Sequence, residues 1–409
     1  MRLKDVASVN IRTLDENTPG DYAFKYIDIS SVSFENGIDL GHDIEFSQAP
    51  SRARRIVKKG DVLVSTVRTY LRAIADIDWE ADNVVASTGF AVFSPNDTII
   101  PRFMAYVVKS SDVINQICSN SKGVSYPAIQ ASSLSAVEIP YFDISMQEAI
   151  AAYLDRECEK IGREIELLER KADAYSRLRR SLINRAVTRG LNPNVSLTPS
   201  GIPWIASIPA HWDIKRGKSI FQEVYRDVRP EDGTVTCFRD GEVTLRTNRR
   251  TTGFTESEKE IGYHGVRIGD LVIHQMDAFA GSIGISDSDG KCSPICIVCQ
   301  PLHKDEADLG YYCQLLRVMA HSGFIQSLAK GIRERTTDFR YKTLATLHFP
   351  VPPYQEQQEI AAYLDEKCGK IDAIIEKIGT MVERLKELKR SLINEVVTGK
   401  RAIIINKPC

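Results

Sequence analysis

From Leu154 onward, apolar residues return at every seventh position: Ile161, Leu168, Tyr175 and Leu182, with Cys158, Ile165 and Ala172 interleaved. The pattern comes back at Leu364, Ile371, Ile378, Leu385 and Leu392, with Cys368, Ile375 and Val382 between them. This spacing draws one narrow apolar stripe along a helix, the a/d seam of a coiled coil. The other positions are mostly Glu, Lys and Arg, as a solvated helix face requires. Neither run contains proline, Arg179 and Lys389 interrupt the seam at matching places, and Gly190 and Gly399 stand where each helix should end. The pattern predicts two long helices of equal length. Mutual packing buries both seams most simply, and the chain between them must return, so an antiparallel pair is expected. The alternative is two unrelated amphipathic helices, each packed on its own domain.

The two stripes belong to a larger repeat. Residues 147–190 align with 357–400 without a gap, with 20 identities over 44 positions, including "AAYLD" at 151–155 and 361–365 and "SLIN" at 181–184 and 391–394. Upstream the likeness is looser: "VKKGDVLVSTV" parallels "VRIGDLVIHQM", "AVFSP" parallels "IVCQP", and "LSAVEIP" parallels "LATLHFP". A variable unit is thus followed by a constant unit, twice. Within the variable units, apolar runs opened by Gly-Asp or closed by proline suit strands. "PRFMAYVVKSSDVINQICSN" and "LGYYCQLLRVMAHSGFIQSLA" suit helices. The expected fold is α+β with a pseudo-two-fold internal repeat: mixed α/β domains at 1–143 and 191–353, helices at 144–190 and 354–400 forming the antiparallel coiled coil, and a tail at 401–409. A length of 409 residues accommodates that many parts.

Composition narrows the class. No stretch approaches the roughly 20 apolar residues that span a bilayer, so no membrane partner is expected. Nine scattered cysteines and a start, "MRLKDVASVN", without an apolar signal core point to a reducing, cytoplasmic setting. Net charge is −1, with −3 over residues 1–140 and 0 over 191–350, so neither domain is basic as a whole. The cations do cluster. Arg52, Arg54, Arg55, Lys58 and Lys59 fall in one decapeptide, Arg246, Arg249 and Arg250 in "LRTNRR", and Arg333, Arg335 and Arg340 in "KGIRERTTDFRYK" with Tyr341. Flanking Ser, Thr and Asn suggest loops, and arginine with polar residues on loops is what phosphate contact and base-edge readout need. Local chemistry adds Arg68, Arg72, Lys122, Tyr126, His274 and Gln275 to the candidate DNA-binding set. The plain alternative for each cluster is a solvated loop.

With the repeat and its motifs in hand, the chain resembles the specificity subunit of type I restriction-modification enzymes. The carriers are "IPYFDISMQEAIAAYLD" with "RRSLINRAVTRG", "FPVPPYQEQQEIAAYLD" with "KRSLINEVVTGK", and the lead-in "SGIPWIASIPAHWDIKRGK" at 200–218. The resemblance implies two target recognition domains, each reading one half of a bipartite duplex DNA sequence. It implies a coiled coil that sets the spacer and docks two methyltransferase subunits, which restriction/translocase subunits then join. It also implies no catalysis on this chain, with S-adenosylmethionine, ATP and Mg²⁺ bound by partners. The family's base-contacting residues vary with the target, so none can be carried over. No counterpart of "PWIASIPAHW" precedes "MRLKDVASV"; either the true start lies upstream, or the end of the second helix and the tail close the first domain. A coiled-coil adaptor whose domains bind protein or another ligand is the competing function.

Three catalytic signatures fail on chemistry. "VPPY" at 351–354 lacks the polar first residue that would orient a target amine. "GKS" at 217–219 has Trp212 where a phosphate loop needs glycine. Cys292, Cys296 and Cys299 have a metal-like spacing, with His303 and His321 as possible further ligands. Yet they lie in an apolar strand-like run that suits buried thiols. No metal site is expected.

Overall fold

A computed structural model describes residues 1–34, 37–123, 126–249, 261–328 and 338–403. The chain divides into two compact units, one of residues 1–170 with 378–409, the other of residues 171–377. Among the described residues, no helix is long and apolar enough to cross a membrane.

In the first unit, strands Ala7–Val9, Phe90–Pro95, Val62–Ser65 and Ile74–Asp76 form an antiparallel sheet in that order. A second sheet orders Asp43–Glu45, Ala23–Ile27, Val84–Ser87 and Ala53–Ile56, with one parallel pair at its centre. In the second unit, Phe221–Glu223, Cys296–Pro301, Leu271–His274 and Ile283–Ile285 repeat the first sheet's order and antiparallel pairing. Two of the three loosely matched upstream pairs, the Gly-Asp runs and "AVFSP" with "IVCQP", are therefore the same strands; "LSAVEIP" makes only the isolated bridge Arg2–Glu138 where "LATLHFP" enters the strand His348–Val351. The stretch following each sheet is helical but broken. Ser110 is extended and its Oγ caps a new helix, so residues 101–119 form Pro101–Lys109 and Ser111–Ser119. In the second unit, Leu309–His321 is parted from Phe324–Ser327 by Gly323 at φ +81°.

The long helices run Ile144–Arg189 and Tyr354–Val397, and Gly190 (φ +71°) and Gly399 (φ +74°) follow them in the left-handed conformation that ends a helix. Each unit holds a piece of both. In the first, Ile150, Leu154 and Cys158 share a buried cluster with Leu392, Ile393, Val396 and Val397. In the second, Ile183, Ala186 and Val187 share one with Ile360, Leu364 and Cys368. Seam residues Ile371 and Ile378 are buried, while Ile161, Leu168 and Leu182 are half-buried. Near its C-terminal end the first helix departs from the strict heptad: Ile183, Ala186 and Val187 are buried more deeply than Leu182. A helix packed on a domain needs a wider stripe than a two-helix seam does.

Two pairs of repeated polar residues lock these parts. Gln147 and Gln357 are fully buried. The Gln147 Oε1 accepts from the Ile100 N–H (2.8 Å), and its Nε2 donates to the carbonyls of Phe142 (2.7 Å) and Thr98 (3.2 Å). Gln357 repeats the arrangement with the Asp308 N–H (2.9 Å) and the carbonyls of Pro352 (2.9 Å) and Glu306 (3.0 Å). Each glutamine thus ties the first turn of a long helix to the residues that enter the shorter helix at Pro101 or Leu309. The Gly-Asp turns form the second pair. Asp61 and Asp270 are buried; Asp61 takes the Arg12 guanidinium and Ser94, and Asp270 takes Arg226 through both nitrogens.

The lead-in also has a structural task. Trp212 Nε1 donates to Glu356 at 3.1 Å, and His211 Nε2 lies 2.9 Å from the same oxygen. The repeat aligns Glu356 with Met146, which cannot accept these bonds. In the first copy of the repeated phrase, Asp155 instead accepts from Arg102 and Tyr106, each at 2.7 Å.

Candidate nucleic-acid interface

The clearest concentration of candidate residues lies in the first unit, on the loop between strands Val62–Ser65 and Ile74–Asp76. Thr66 opens it with its amide and hydroxyl on the Gly89 carbonyl, while its own carbonyl accepts from the Ile129 N–H. The Arg68 N–H donates to Pro127 at 2.7 Å, and Thr69 Oγ1 meets Ser121 Oγ at 2.9 Å. Lys122 and Ala128 exchange both backbone bonds. The two loops are thereby pinned side by side, which brings Arg68 to Tyr126 and places Lys122 at the base of the second loop, while Arg72 closes the first loop. The Arg68 guanidinium carbon lies 4.8 Å from the centre of the Tyr126 ring, which is 66% exposed.

The loop is strained. Residues 69–71 make one 3₁₀ turn, and Arg68 (φ 49°) and Arg72 (φ 55°) flank it in the left-handed region. Among the described residues the other positive-φ non-glycines are Asn10 and Asn83, a residue type that tolerates this conformation. For arginine it costs on the order of 1–2 kcal/mol per residue. Between the two arginines stand Tyr70, 55% exposed, and Leu71, 51% exposed. Neither was in the expected set: "RTYLR" reads as an ordinary connection, and the backbone conformation that presents the pair leaves no mark in composition.

The Arg52 cluster adjoins this loop through the turn that carries Gly89 from one sheet to the other, since the Thr88 N–H donates to the Arg52 carbonyl. Here the loop expectation needs correction. Arg54 and Arg55 lie on the last strand of the sheet, Ala53–Ile56, whose outer edge is bridged by residues 12–14. Arg52 pairs with Asp28 at 2.9 Å, Arg54 stacks on Phe46, and Arg55 reaches Thr13 at 3.4 Å. Lys58 is exposed.

In the second unit the corresponding loop is built on the same bonds. Gln275 N–H donates to Ile295 and its carbonyl accepts from the Phe339 N–H, as Thr66 does with Gly89 and Ile129. Its 3₁₀ turn, Ala278–Ala280, is closed by Gly281 at φ +91° where the first unit has Arg72. The candidates around it are engaged internally. His274 Nδ1 accepts from the Asp277 N–H at 3.2 Å, and burial lowers the His274 pKa against the raising effect of Asp277. Gln275 Nε2 reaches the Pro294 carbonyl. Arg246 and Arg249 sit on a single helical turn rather than in a loop, and Arg249 pairs with Asp240 and Glu242, both at 2.8 Å. Arg340 pairs with Asp338, and the half-buried Tyr341 spends its hydroxyl on the Phe221 carbonyl. Arg250, Arg333 and Arg335 lie outside the described residues.

Cys292, Cys296 and Cys299 are buried free thiols, and burial together with Glu223 and Asp270 raises the Cys299 pKa. Among the described residues, no group of three or more His, Cys, Asp or Glu side chains is arranged to hold a metal ion. His303 and His321 are both exposed.

Residues 1–170 match the family model described as the type I restriction modification DNA specificity domain. The chain therefore carries a type I restriction-modification specificity domain over those residues. Its relatives include the specificity subunit of the type I restriction enzyme HindI from Haemophilus influenzae, 30% identical over 25% of this chain and 23% of that one. The StySPI subunit of Salmonella potsdam is 20% identical over 75% of this chain and 66% of its own length. The EcoKI subunit of Escherichia coli is 23% identical over 76% and 67%. The matches thus span under a quarter of the HindI subunit and about two thirds of the other two. Among solved structures, a chain from work on complex assembly and conformational transition of the type I R-M system superposes with a TM-score of 0.72 at 20% identity, over 97% of this chain and 96% of that one. The HsdS subunit from Thermoanaerobacter tengcongensis gives 0.51 at 22% identity, over 98% and 96%. These superpositions establish a shared fold.

Proposed function

We propose that this chain is the DNA-reading subunit of a type I restriction-modification complex. Each recognition domain reads one half of a bipartite target, while the paired long helices set the spacer and dock two methyltransferase subunits. The observation that carries the reading is the pinned pair of loops: Arg68 lies over the face of the exposed Tyr126, and Arg72 and Lys122 stand on the same two loops, held at the edge of a sheet. The repeat supports two half-sites. The coiled-coil ruler is supported by each unit's core, which combines the early residues of one helix with the late residues of the other. The chemistry belongs to partners, which bind S-adenosylmethionine, ATP and Mg²⁺, and restriction/translocase subunits complete the assembly in the cytoplasm.

Methylome mapping with and without the chain gives the target. With that duplex and the methyltransferase subunits present, binding weakens steeply with salt. The Arg68→Ala/Arg72→Ala/Lys122→Ala variant lowers the slope of log K against log salt by about three, near one per lost phosphate contact. An unchanged slope removes these residues from the interface, and absence of binding by the unaltered chain ends the DNA reading. The ruler has its own test. Leu154 to Leu182 spans 28 residue steps, about 42 Å at 1.5 Å per residue, or about 12 base pairs. Inserting four residues into one long helix is expected to lengthen or abolish the preferred spacer in the methylome; an unchanged spacer rules the ruler out.

A further inference from the structure

Resting on that DNA reading, we propose that the loop Arg68–Arg72 is a wedge: Tyr70 and Leu71 enter a base step of the first half-site and unstack it, and Arg68 and Arg72 hold the flanking phosphates. Three observations converge. Two large apolar side chains stand more than half exposed at the tip of a loop whose base is fixed by hydrogen bonds. Their flanks and neighbour are cationic, Arg68, Arg72 and Lys122, which selects a polyanion as the occupant over an apolar protein face. The backbone is left-handed at both arginines, a conformation maintained where local strain serves a site.

The second unit supplies the contrast. Its equivalent turn carries Ala278, Phe279 and Ala280; Ala278 is buried, Phe279 packs against the unit's core, and glycine closes the turn. The same scaffold therefore turns its aromatic residue inward in one copy and presents Tyr70 with Leu71 in the other. Apolar side chains inserted between base steps kink duplex DNA. The distortion is expected in the half-site read by the first unit and not through this loop in the other.

The test uses the full chain with its methyltransferase subunits and duplexes bearing the methylated sequence, with 2-aminopurine placed at each position of each half-site in turn. One step in one half-site should brighten on binding as its stacking is lost. The Tyr70→Ser/Leu71→Ser variant should abolish that signal and weaken binding about tenfold, while the exposed positions leave thermal melting unchanged. Arg72→Gly supplies a second reading, because glycine already occupies this position in the other unit. It should melt no lower than the parent chain and bind DNA several-fold more weakly. If the parent complex fails to bind the duplexes, the DNA reading falls and the wedge with it. If the parent binds and the double variant keeps both affinity and signal, the wedge alone is overturned. An Arg72→Gly chain that binds at full strength removes Arg72 from the phosphate grip.

Discussion

Replacing Arg226 with alanine is expected to destabilise the second unit by about 3–5 kcal/mol, because it strands a buried carboxylate. Asp270 is fully buried and receives Arg226 at 2.5 and 3.0 Å, the Arg267 N–H at 2.7 Å and Gln300 Nε2 at 3.0 Å. The last two donors are neutral and cannot replace the lost positive charge. Removing the charge as well, in Arg226→Ala/Asp270→Asn, should cost less than the single arginine change. The residual cost is one desolvated polar contact rather than a buried ion. Two of the chain's three tryptophans, Trp204 and Trp212, lie in the second unit, so a Trp79→Phe background lets fluorescence follow it alone. The measurement is the guanidinium midpoint at constant m-value. A double variant as unstable as the sum of its parts would show that the pair is not coupled.

Gln357→Leu is expected to cost about 2–4 kcal/mol, since it leaves the Asp308 N–H and the carbonyls of Glu306 and Pro352 without a partner. The side chains are similar in size, so the loss is polar rather than a cavity. Gln147→Leu should do the same to the first unit. The two losses should add, because the glutamines lie in separate units with no shared partner. Hydrogen exchange should show the opening first at the entry to the helix Leu309–His321 in one case and Pro101–Lys109 in the other. Loss of global stability without local deprotection there would contradict the tying role.

The heptad stripes were legible because a long solvated helix has one packed face, and its period survives in the choice of residues. The Gly-Asp strands were legible for a similar reason: a turn needs glycine at positive φ, and the apolar run behind it is buried on both faces. The partners of the arginines were not. "SRARRIVKKG" looks like a cationic loop, but Arg52 finds Asp28 from a different strand, and Arg54 finds Phe46. Those meetings depend on sheet order, which no local pattern records. The break at Ser110 was also hidden, since the residues around it form good helix on either side. At the candidate interface the cations of residues 52–72 could be picked out, yet Tyr70 and Leu71 could not. Their importance comes from a left-handed backbone at two arginines, a conformation that residue type argues against.

The first unit is assembled from the two ends of the polypeptide. Its core includes Leu392, Ile393, Val396 and Val397, made about 300 residues or more after the strands they cover. Synthesis from the N-terminus therefore delivers the second unit's residues complete while the first still lacks one wall. The part of the molecule begun earliest is sealed last, and a chain ending anywhere before residue 378 would leave the ribosome with Ile150 and Leu154 uncovered. Premature termination in this gene carries a folding penalty at the opposite end of the protein from the lesion.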